Sequence, residues 1–505
     1  MNSSLPPSST PKLEFNVKSI LEWLALVHGR TGVEDAEPLY RQLLLLREAP
    51  IPPAQRTKLL DLLYGQAVVI VHAVLPQLHE VALPISRKLR QRVKLLLDLL
   101  EILTQDYLNT LAELFDPDSH PNRAHTARTS LRRTMLAIAW QIRINHLVAS
   151  PTGIGLWQQL HAAFRTAHRL GLEKIPAERN GPSIQRTYAN VLLTAIAQPA
   201  SFSSAELEFI NEYVEQSPLS LEFLSSPPSD SQGTFWIDLD RDFSAHALVR
   251  RTPGTDTQVL YFSCDAIAQS AKQHFSDLAN GASASSLGLP IFAETHAGKG
   301  VLQRLHGLWG HPTKRRFPRR RQSYRANLCA GLEKLCGLIK SPEEPADLSE
   351  WMVTNESPDG YALMHMSGHT GHLRVGDVIA LQPLGERAEA TPVWHVCVIR
   401  WAISENPEHI ELGLQLLAPW ATAAEIAQPN GQASGSISAL ILPKTPPLRQ
   451  SESLVVAAGT LTEAVQKIVI LVEKENLEIR SVRATRLDER TSSIEVFSVL
   501  PDDSP

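Results

Sequence analysis

Apolar residues recur every three to four positions through the first 225 residues, which places them on one face of a helix. The repeat is longest over residues 59–75, 93–115, 131–148 and 156–172. Prolines separate these segments, as expected where helices end. We therefore predict an all-α helical domain over 15–225, preceded by a disordered Ser- and Pro-rich tail over 1–14. Because we find no fixed repeat period, an irregular bundle is favoured over a solenoid.

The pattern changes after residues 226–233, a Ser-, Pro- and Gly-rich stretch typical of a linker. Strand-like and helix-like runs then alternate, which predicts a small α+β segment over 234–314. Strand-like runs dominate 315–420 and 436–505, and a predicted hairpin joins 467–472 to 477–482. The fold class is therefore multidomain α+β: an N-terminal all-α domain followed by two β-rich domains.

Composition narrows the class of protein only a little. The 505 residues carry a net charge of −5 and 43% hydrophobic residues, which is ordinary for a globular protein. The four cysteines lack metal-type spacing, and the N-terminus lacks the order of a signal peptide. The longest apolar run, residues 67–75, is too short to span a membrane. We predict a reduced, cytoplasmic protein with no transmembrane segment.

A basic cluster breaks this mildly acidic background. Seven of the twelve residues from Lys314 to Arg325 are basic. The guanidinium fork binds phosphate through two parallel hydrogen bonds, and it can also pair with the O6/N7 edge of guanine. The contrast with the net negative charge favours a compact anionic ligand over a long nucleic acid. A solvated loop, or a surface for RNA or anionic lipid, remains open from composition alone.

A polar turn follows the next predicted strand, from Asn355 to Gly360. The short side chains of Asn355 and Ser357 can cap the turn or reach a ligand. As a glycine, Gly360 can take a positive φ and let a ligand approach the backbone.

The basic cluster and the turn together resemble the PilZ domain, the bacterial receptor module for cyclic di-GMP. That family carries R-x-x-x-R before its first strand and [DN]-x-S-x-x-G after its second. The first pattern is matched by three pairs: Arg315/Arg319, Arg316/Arg320 and Arg321/Arg325. The second is matched by Asn355, Ser357 and Gly360. The resemblance extends downstream over about 315–420, with a helix at 331–339 inserted between the first two strands.

The resemblance implies a PilZ-like β-barrel over 315–420 that binds cyclic di-GMP. One arginine pair would contact the phosphates and the guanine edge, and Asn355 and Ser357 would contact the ligand's polar edge. Gly360 would keep the turn tight. We favour the four arginines before the first strand, because Pro318 keeps their segment extended: Arg315, Arg316, Arg319 and Arg320. Arg321 and Arg325 are secondary candidates, since Arg325 falls near the strand.

The predicted function is a cyclic di-GMP receptor that couples binding to a protein partner through the helical domain. The alternatives are a scaffold with a degenerate barrel that binds no nucleotide, and a protein whose basic arm binds RNA or an anionic surface. No nucleophile elbow, Walker loop or dinucleotide-binding glycine run occurs, so no enzyme and no cofactor are predicted. His365, His369 and His372 have a zinc-like spacing, but adjacent glycines predict a loop and no metal site. Trp351 and Tyr324 are candidates for packing or for stacking on a purine.

Overall fold

A computed structural model describes most of the chain. The described residues are 17–27, 33–114, 123–177, 181–229, 232–254, 259–314, 317–341, 347–384, 393–406, 409–427, 437–446, 449–461, 467–473 and 477–502. The predicted tail over 1–14 and the candidate ligands Arg315 and Arg316 lie outside these residues. The chain forms two compact units, one of residues 1–77, 88–144 and 159–188 and one of residues 78–87, 145–158 and 189–505.

Helices occupy the N-terminal region, as the apolar periodicity predicts. They are α1 (Val17–Val27), α2 (Ala36–Glu48), α3 (Pro53–Val74), α4 (Arg87–Glu113), α5 (Arg123–Leu147), α6 (Leu156–Arg169), α7 (Ile184–Ile196) and α8 (Ser204–Gln216). The apolar stripes of α2, α3 and α4 form a core that includes Leu39, Leu63 and Tyr107, each fully buried. Tyr107 also donates a hydrogen bond to Asp61 (3.0 Å) inside this first unit, which satisfies its hydroxyl.

One apolar stretch in this region is long. Among the described residues, the helical stretch Pro53–Leu78 has the length and hydropathy of a membrane span. Half of the most apolar part of this stretch is buried within the protein, as in the core helix of a globular domain. Length and hydropathy therefore do not distinguish a membrane span from a core helix here.

A small sheet and two helices follow. The strands β1 (Thr234–Asp238), β2 (His246–Ala247) and β3 (Val259–Ser263) are antiparallel in the order β2-β1-β3. Strand β1 pairs with β3 along its length, with Trp236 opposite Tyr261. The helices α9 (Asp265–Ala279) and α10 (His296–Gly310) then lead to the basic cluster.

The next strands form a closed barrel, which we call the middle barrel. It contains β4 (Arg320–Ala330), β5 (Ser349–Ser357), β6 (Gly360–Ser367), β7 (Val378–Leu384), β8 (His395–Asn406) and β9 (His409–Ala418), in the order β4-β5-β6-β9-β8-β7. The predicted inserted helix is α11 (Leu332–Lys340), between β4 and β5. Closure leaves every strand paired on both sides, so the barrel offers no free edge.

A second closed barrel, the C-terminal barrel, completes the chain. Its strands are β10 (Thr422–Ala427), β11 (Ile437–Leu442), β12 (Ser453–Ala457), β13 (Lys467–Glu473), β14 (Leu477–Arg490) and β15 (Ile494–Pro501), in the order β10-β11-β12-β15-β14-β13. The predicted hairpin is observed as the antiparallel pair β13–β14. Strand β10 lies in a segment that the sequence analysis assigned to no domain. One apolar cluster includes Leu335 of α11, Val396 of β8 and Val455 of β12, so the two barrels share a core.

Candidate functional site

The basic cluster and the polar turn meet at one rim of the middle barrel. Strand β4 begins where β5 ends, because the two strands are antiparallel and Arg320 lies opposite Glu356. One residue further on, Arg321 lies opposite Asn355. The pairing of these two strands therefore brings together the two motifs, which are separated in the sequence by α11.

The turn is a tight hairpin rather than a loop after a strand. Ser357 is the last residue of β5 and Gly360 is the first of β6, and the two are paired. The hydroxyl oxygen of Ser357 lies 2.7 Å from Oδ1 of Asp359 and 3.2 Å from the Gly360 carbonyl oxygen. These contacts hold the hydroxyl at the tip of the hairpin.

Gly360 does not use the positive φ that glycine allows. Gly360 lies in the extended backbone of β6 and is absent from the positive-φ glycines. Glycine is required there because the neighbouring strand is so close. A Cβ atom on Gly360 would lie 1.9 Å from the carbonyl oxygen of Leu414.

We call the basic segment before β4 the arm (residues 314–319, of which the structure describes 314 and 317–319). A cleft of about 790 Å³ opens between these described residues and the hairpin. Three of the predicted ligand residues line it: Arg319, Ser357 and Gly360. It is also lined by residues that the sequence analysis did not assign to the site, among them Arg250, Lys314, Tyr361, Arg400, Trp401 and Gln415. The cleft therefore combines several cationic groups with an aromatic wall, which is the chemistry that a phosphorylated purine requires.

Arg400 is held in place by partners on two strands. Its Nε donates to Oε1 of Gln415 on β9 (2.6 Å). Its two terminal nitrogens donate to the two carboxylate oxygens of Glu489 on β14, at 2.8 and 2.5 Å. This bidentate pair fixes the orientation of the guanidinium at the border of the cleft.

Arg250 fixes the base of the arm. Its Nε donates to the backbone carbonyl of Thr313 (2.8 Å), directly before the basic cluster. With its amide oxygen turned toward Arg250, Gln198 accepts from both terminal nitrogens, at 2.9 and 3.2 Å. A sequence motif could not have identified Arg250, because it is 69 residues upstream of Arg319 and reaches the cleft only through the fold.

Trp401 on β8 and Tyr361 on β6 form the aromatic wall of the cleft, and Phe317 before β4 also lines it. The indole of Trp401 lies against Gly413, its partner on β9. The hydroxyl of Tyr361 lies 2.8 Å from Nδ1 of His395. Burial raises the pKa of Tyr361 and lowers the pKa of His395, so both are neutral near pH 7. The wall therefore adds no negative charge that would repel an anion.

The other candidates that the structure describes lie outside the cleft lining. Arg320 and Arg321 are exposed at the start of β4, and Asn355 is half-buried beside them. Arg325 lies in β4 and forms an ion pair with Glu350 (2.9 Å). That pairing engages Arg325 on the strand surface.

Among the aromatic candidates for stacking, Trp351 is excluded. It is fully buried and donates its indole N–H to the hydroxyl of Ser349 (2.8 Å), because its position on β5 faces the barrel interior. Tyr324 is half-buried and donates to Glu356 (3.0 Å).

The three histidines do not share a helix. His365 lies on β6 with its ring against Trp351, 5.0 Å between centroids. His369 and His372 follow in the loop, as the glycines predict, with rings 6.3 Å apart. The described part of the chain contains no group of three or more His, Cys, Asp or Glu side chains that could hold a metal.

Comparisons with known proteins agree on one family. Residues 18–226 match the family model "Cyclic-di-GMP receptor FimW, N-terminal domain". Residues 340–423 match "Cyclic-di-GMP receptor FimW, middle PilZ domain", and residues 422–499 match "FimW C-terminal beta-barrel domain". The chain is also similar to the cyclic-di-GMP receptor FimW of Pseudomonas aeruginosa, with 22% identity over 84% of this chain and 81% of that protein. The three matches leave out residues 227–339, so the position of Arg319 and strand β4 beside the hairpin is known from the structure alone.

Proposed function

The chain belongs to the PilZ family of FimW-type receptors, and from this premise we propose that its middle barrel binds cyclic di-GMP in the cleft beside the arm. The observation that carries the proposal is the shared lining of this cleft by Arg319, Ser357 and Gly360. Each comes from one of two motifs that are far apart in sequence and adjacent in the fold. A basic patch that bound anions by charge alone would not require the hairpin.

The chemistry of the lining assigns a role to each group. Arg319, together with Arg315 four residues before it, provides guanidinium forks for the phosphates and the guanine edge. Ser357 provides a hydroxyl at the hairpin tip. Asn355, two residues earlier on β5, provides an amide. Trp401 provides a flat aromatic face on which a base can stack.

Charge also favours a compact anion. The cleft is lined by Arg250, Lys314, Arg319 and Arg400, with the carboxylate of Asp359 among them. A ligand with two phosphates in one small ring neutralises several cations at once. Because the hairpin is already formed, less conformational entropy is lost when the ligand binds.

Calorimetric titration of the full-length protein with cyclic di-GMP tests the proposal. We expect saturable binding, with the ligand recovered unchanged by chromatography afterwards, as for a receptor. A titration without binding would overturn the proposal, and conversion of the ligand would overturn the assignment as a receptor alone.

The finer part of the proposal concerns a protein partner. Several large apolar side chains of α1, α2 and α3 are exposed: Leu21, Leu26, Leu44, Leu45, Leu62 and Val69. Exposed apolar groups of this kind support a role of the helical region in binding another protein. Cross-linking in cells with and without cyclic di-GMP, in the wild type and in Leu26→Asp/Leu45→Asp, would test it. Identical cross-linked products in the two proteins would refute this surface.

A cytoplasmic location belongs to the same proposal. All four cysteines are buried and free, which agrees with a reducing compartment. Cell fractionation tests this, and recovery of the protein with the periplasm would contradict it.

A further inference from the structure

Arg400 connects the cleft to the C-terminal barrel. It belongs to β8 of the middle barrel and lines the cleft, yet its guanidinium is bound bidentately by Glu489 of β14. Both side chains retain some exposure, 32% for Arg400 and 25% for Glu489, so this ion pair is accessible to a solute in the cleft.

A phosphate and a carboxylate bind a guanidinium with the same geometry. Each binds the fork through two parallel hydrogen bonds, and the phosphodiester of the ligand is permanently charged. A guanidinium has five N–H donors. Three of its N–H groups are already directed at Gln415 and Glu489. The two remaining N–H groups lie on different terminal nitrogens and point away from each other, so no parallel pair of donors is free. A phosphate that uses the fork of Arg400 therefore competes with Glu489.

Glu489 has a second cation within reach. Arg449 shares with it a smaller pocket of about 340 Å³ between the barrels. The Nε atom of Arg449 is buried without a hydrogen-bond partner among the described residues. Burial lowers the pKa of Arg449, and the charges of Asp488 and Glu489 oppose that shift, so Glu489 already acts on this guanidinium. Arg449 already pairs with Asp488 (Nη1 to Oδ2, 3.8 Å), and its Nε is the donor that a carboxylate released by Arg400 could take up.

We propose that Arg400 is a ligand-binding residue for which the phosphate of cyclic di-GMP and Glu489 compete, so that binding loosens the contact between β8 and β14. This inference rests on the proposed function, and it names how that site communicates with the C-terminal barrel. By linkage, whatever weakens the Arg400–Glu489 pair strengthens ligand binding, and the reverse.

Glu489→Gln removes the competing charge and keeps the shape of the side chain. We expect the affinity for cyclic di-GMP to rise about five- to tenfold, at the lower end of typical coupling between sites. Arg400→Gln should lower it about tenfold or more. The matched control is Glu425→Gln, which breaks the ion pair of α11 with β10 (Lys340–Glu425, 2.5 Å) and should leave affinity unchanged.

Hydrogen–deuterium exchange gives a second readout that does not depend on the Arg400 variant folding. Amides of β14 around Glu489 should exchange faster when cyclic di-GMP is added to the wild type or to Glu425→Gln. In Glu489→Gln they should be fast already and should not respond.

The outcomes separate the two proposals. If the wild type does not bind the ligand, the proposed function fails. If it binds but Glu489→Gln has unchanged or weaker affinity, the competition is refuted while the receptor function stands. A ligand response of β14 that persists in Glu489→Gln would also refute it.

Discussion

The indole ring of Trp401 lies directly on the backbone of Gly413, its cross-strand neighbour on β9. A Cβ atom on Gly413 would lie 1.7 Å from Nε1 of Trp401 and 2.1 Å from Cε2. The missing side chain at Gly413 thus creates the space in which the aromatic wall of the cleft lies flat.

Gly413→Ala should therefore lower the affinity for cyclic di-GMP. The methyl group displaces Trp401, and stacking of a base on an aromatic ring contributes about 1–3 kcal/mol. We expect a loss of about tenfold, measured by calorimetry, together with a changed fluorescence response of tryptophan to the ligand.

Gly337→Ala is the matched control for this change. Gly337 lies in α11, and a Cβ atom there would meet no heavy atom within 4 Å. This variant should bind as the wild type does. Unchanged affinity in Gly413→Ala as well would show that Trp401 does not contact the ligand.

Gly360→Ala should act first on stability. Its Cβ atom would lie 1.9 Å from the Leu414 carbonyl oxygen, so β6 and β9 must separate. Forced overpacking of this kind costs about 1–3 kcal/mol, measurable as a lower midpoint in urea. Gly65→Ala in α3 meets no atom within 4 Å and should be neutral or stabilising. Equal stability of Gly360→Ala and the wild type would contradict the close packing of this hairpin.

The arginine pairs should differ in importance. We expect Arg315→Ala/Arg319→Ala to weaken binding most, by about 2–4 kcal/mol, because two charge-assisted contacts are lost. Arg316→Ala/Arg320→Ala should have a smaller effect. Arg321→Ala/Arg325→Ala should have the least, since Arg325 is engaged with Glu350.

Calorimetry on these three double variants checks the order. Unchanged affinity in both of the first two variants would remove the arm from the site. A dominant effect of Arg321→Ala/Arg325→Ala would reverse our ranking.

The sequence predicted the parts of the site that local pattern determines. The resemblance to the two PilZ motifs implied that Arg319 and Ser357 lie close together. The antiparallel pairing of β4 with β5 explains why they meet at one rim of the barrel. The inserted helix was predictable because the spacing of apolar residues changes from about two in the strands to about 3.6 over α11.

The rest depends on tertiary packing. Arg250 enters the cleft from a different part of the chain, and nothing in its local sequence distinguishes it from a surface arginine. The reason for a glycine at position 360 was not visible in the sequence, because it is the proximity of Leu414 on another strand. Strand β10 was missed because its alanines, among them Ala423 and Ala424, give little β signal, although both are buried.

Stability should fall at acid pH partly because of His146, near the end of α5. Burial lowers the pKa of His146 to about 4, and its Nδ1 has no hydrogen-bond partner among the residues that the structure describes. The unfolded chain, with a pKa of about 6.5, therefore takes up the proton first. The contribution of neutral His146 to the free energy of unfolding is complete above about pH 6.5. It is lost as the pH falls toward 4, by at most about 3 kcal/mol.

His146→Leu should flatten this dependence, measured as urea unfolding at several pH values. Burial raises the pKa of Asp61 and Asp106, which acts in the opposite sense, so the difference between variant and wild type is the informative quantity. The same slope in His146→Leu and the wild type would contradict the burial argument.

Selectivity and salt dependence separate a shaped cleft from a basic surface. The hairpin and Trp401 recognise features of cyclic di-GMP that GMP and GTP do not present together, so neither should displace it at similar concentrations. Binding to RNA through the arm would depend on charge and would weaken steeply with salt, because each neutralised phosphate releases counterions. We therefore expect only a shallow loss of affinity for cyclic di-GMP between low and physiological salt, measured by competition in the presence of single-stranded RNA. Displacement by GTP or RNA in proportion to charge would favour the arm as a general anion-binding surface, because a site defined by the Ser357 hairpin should not follow charge alone.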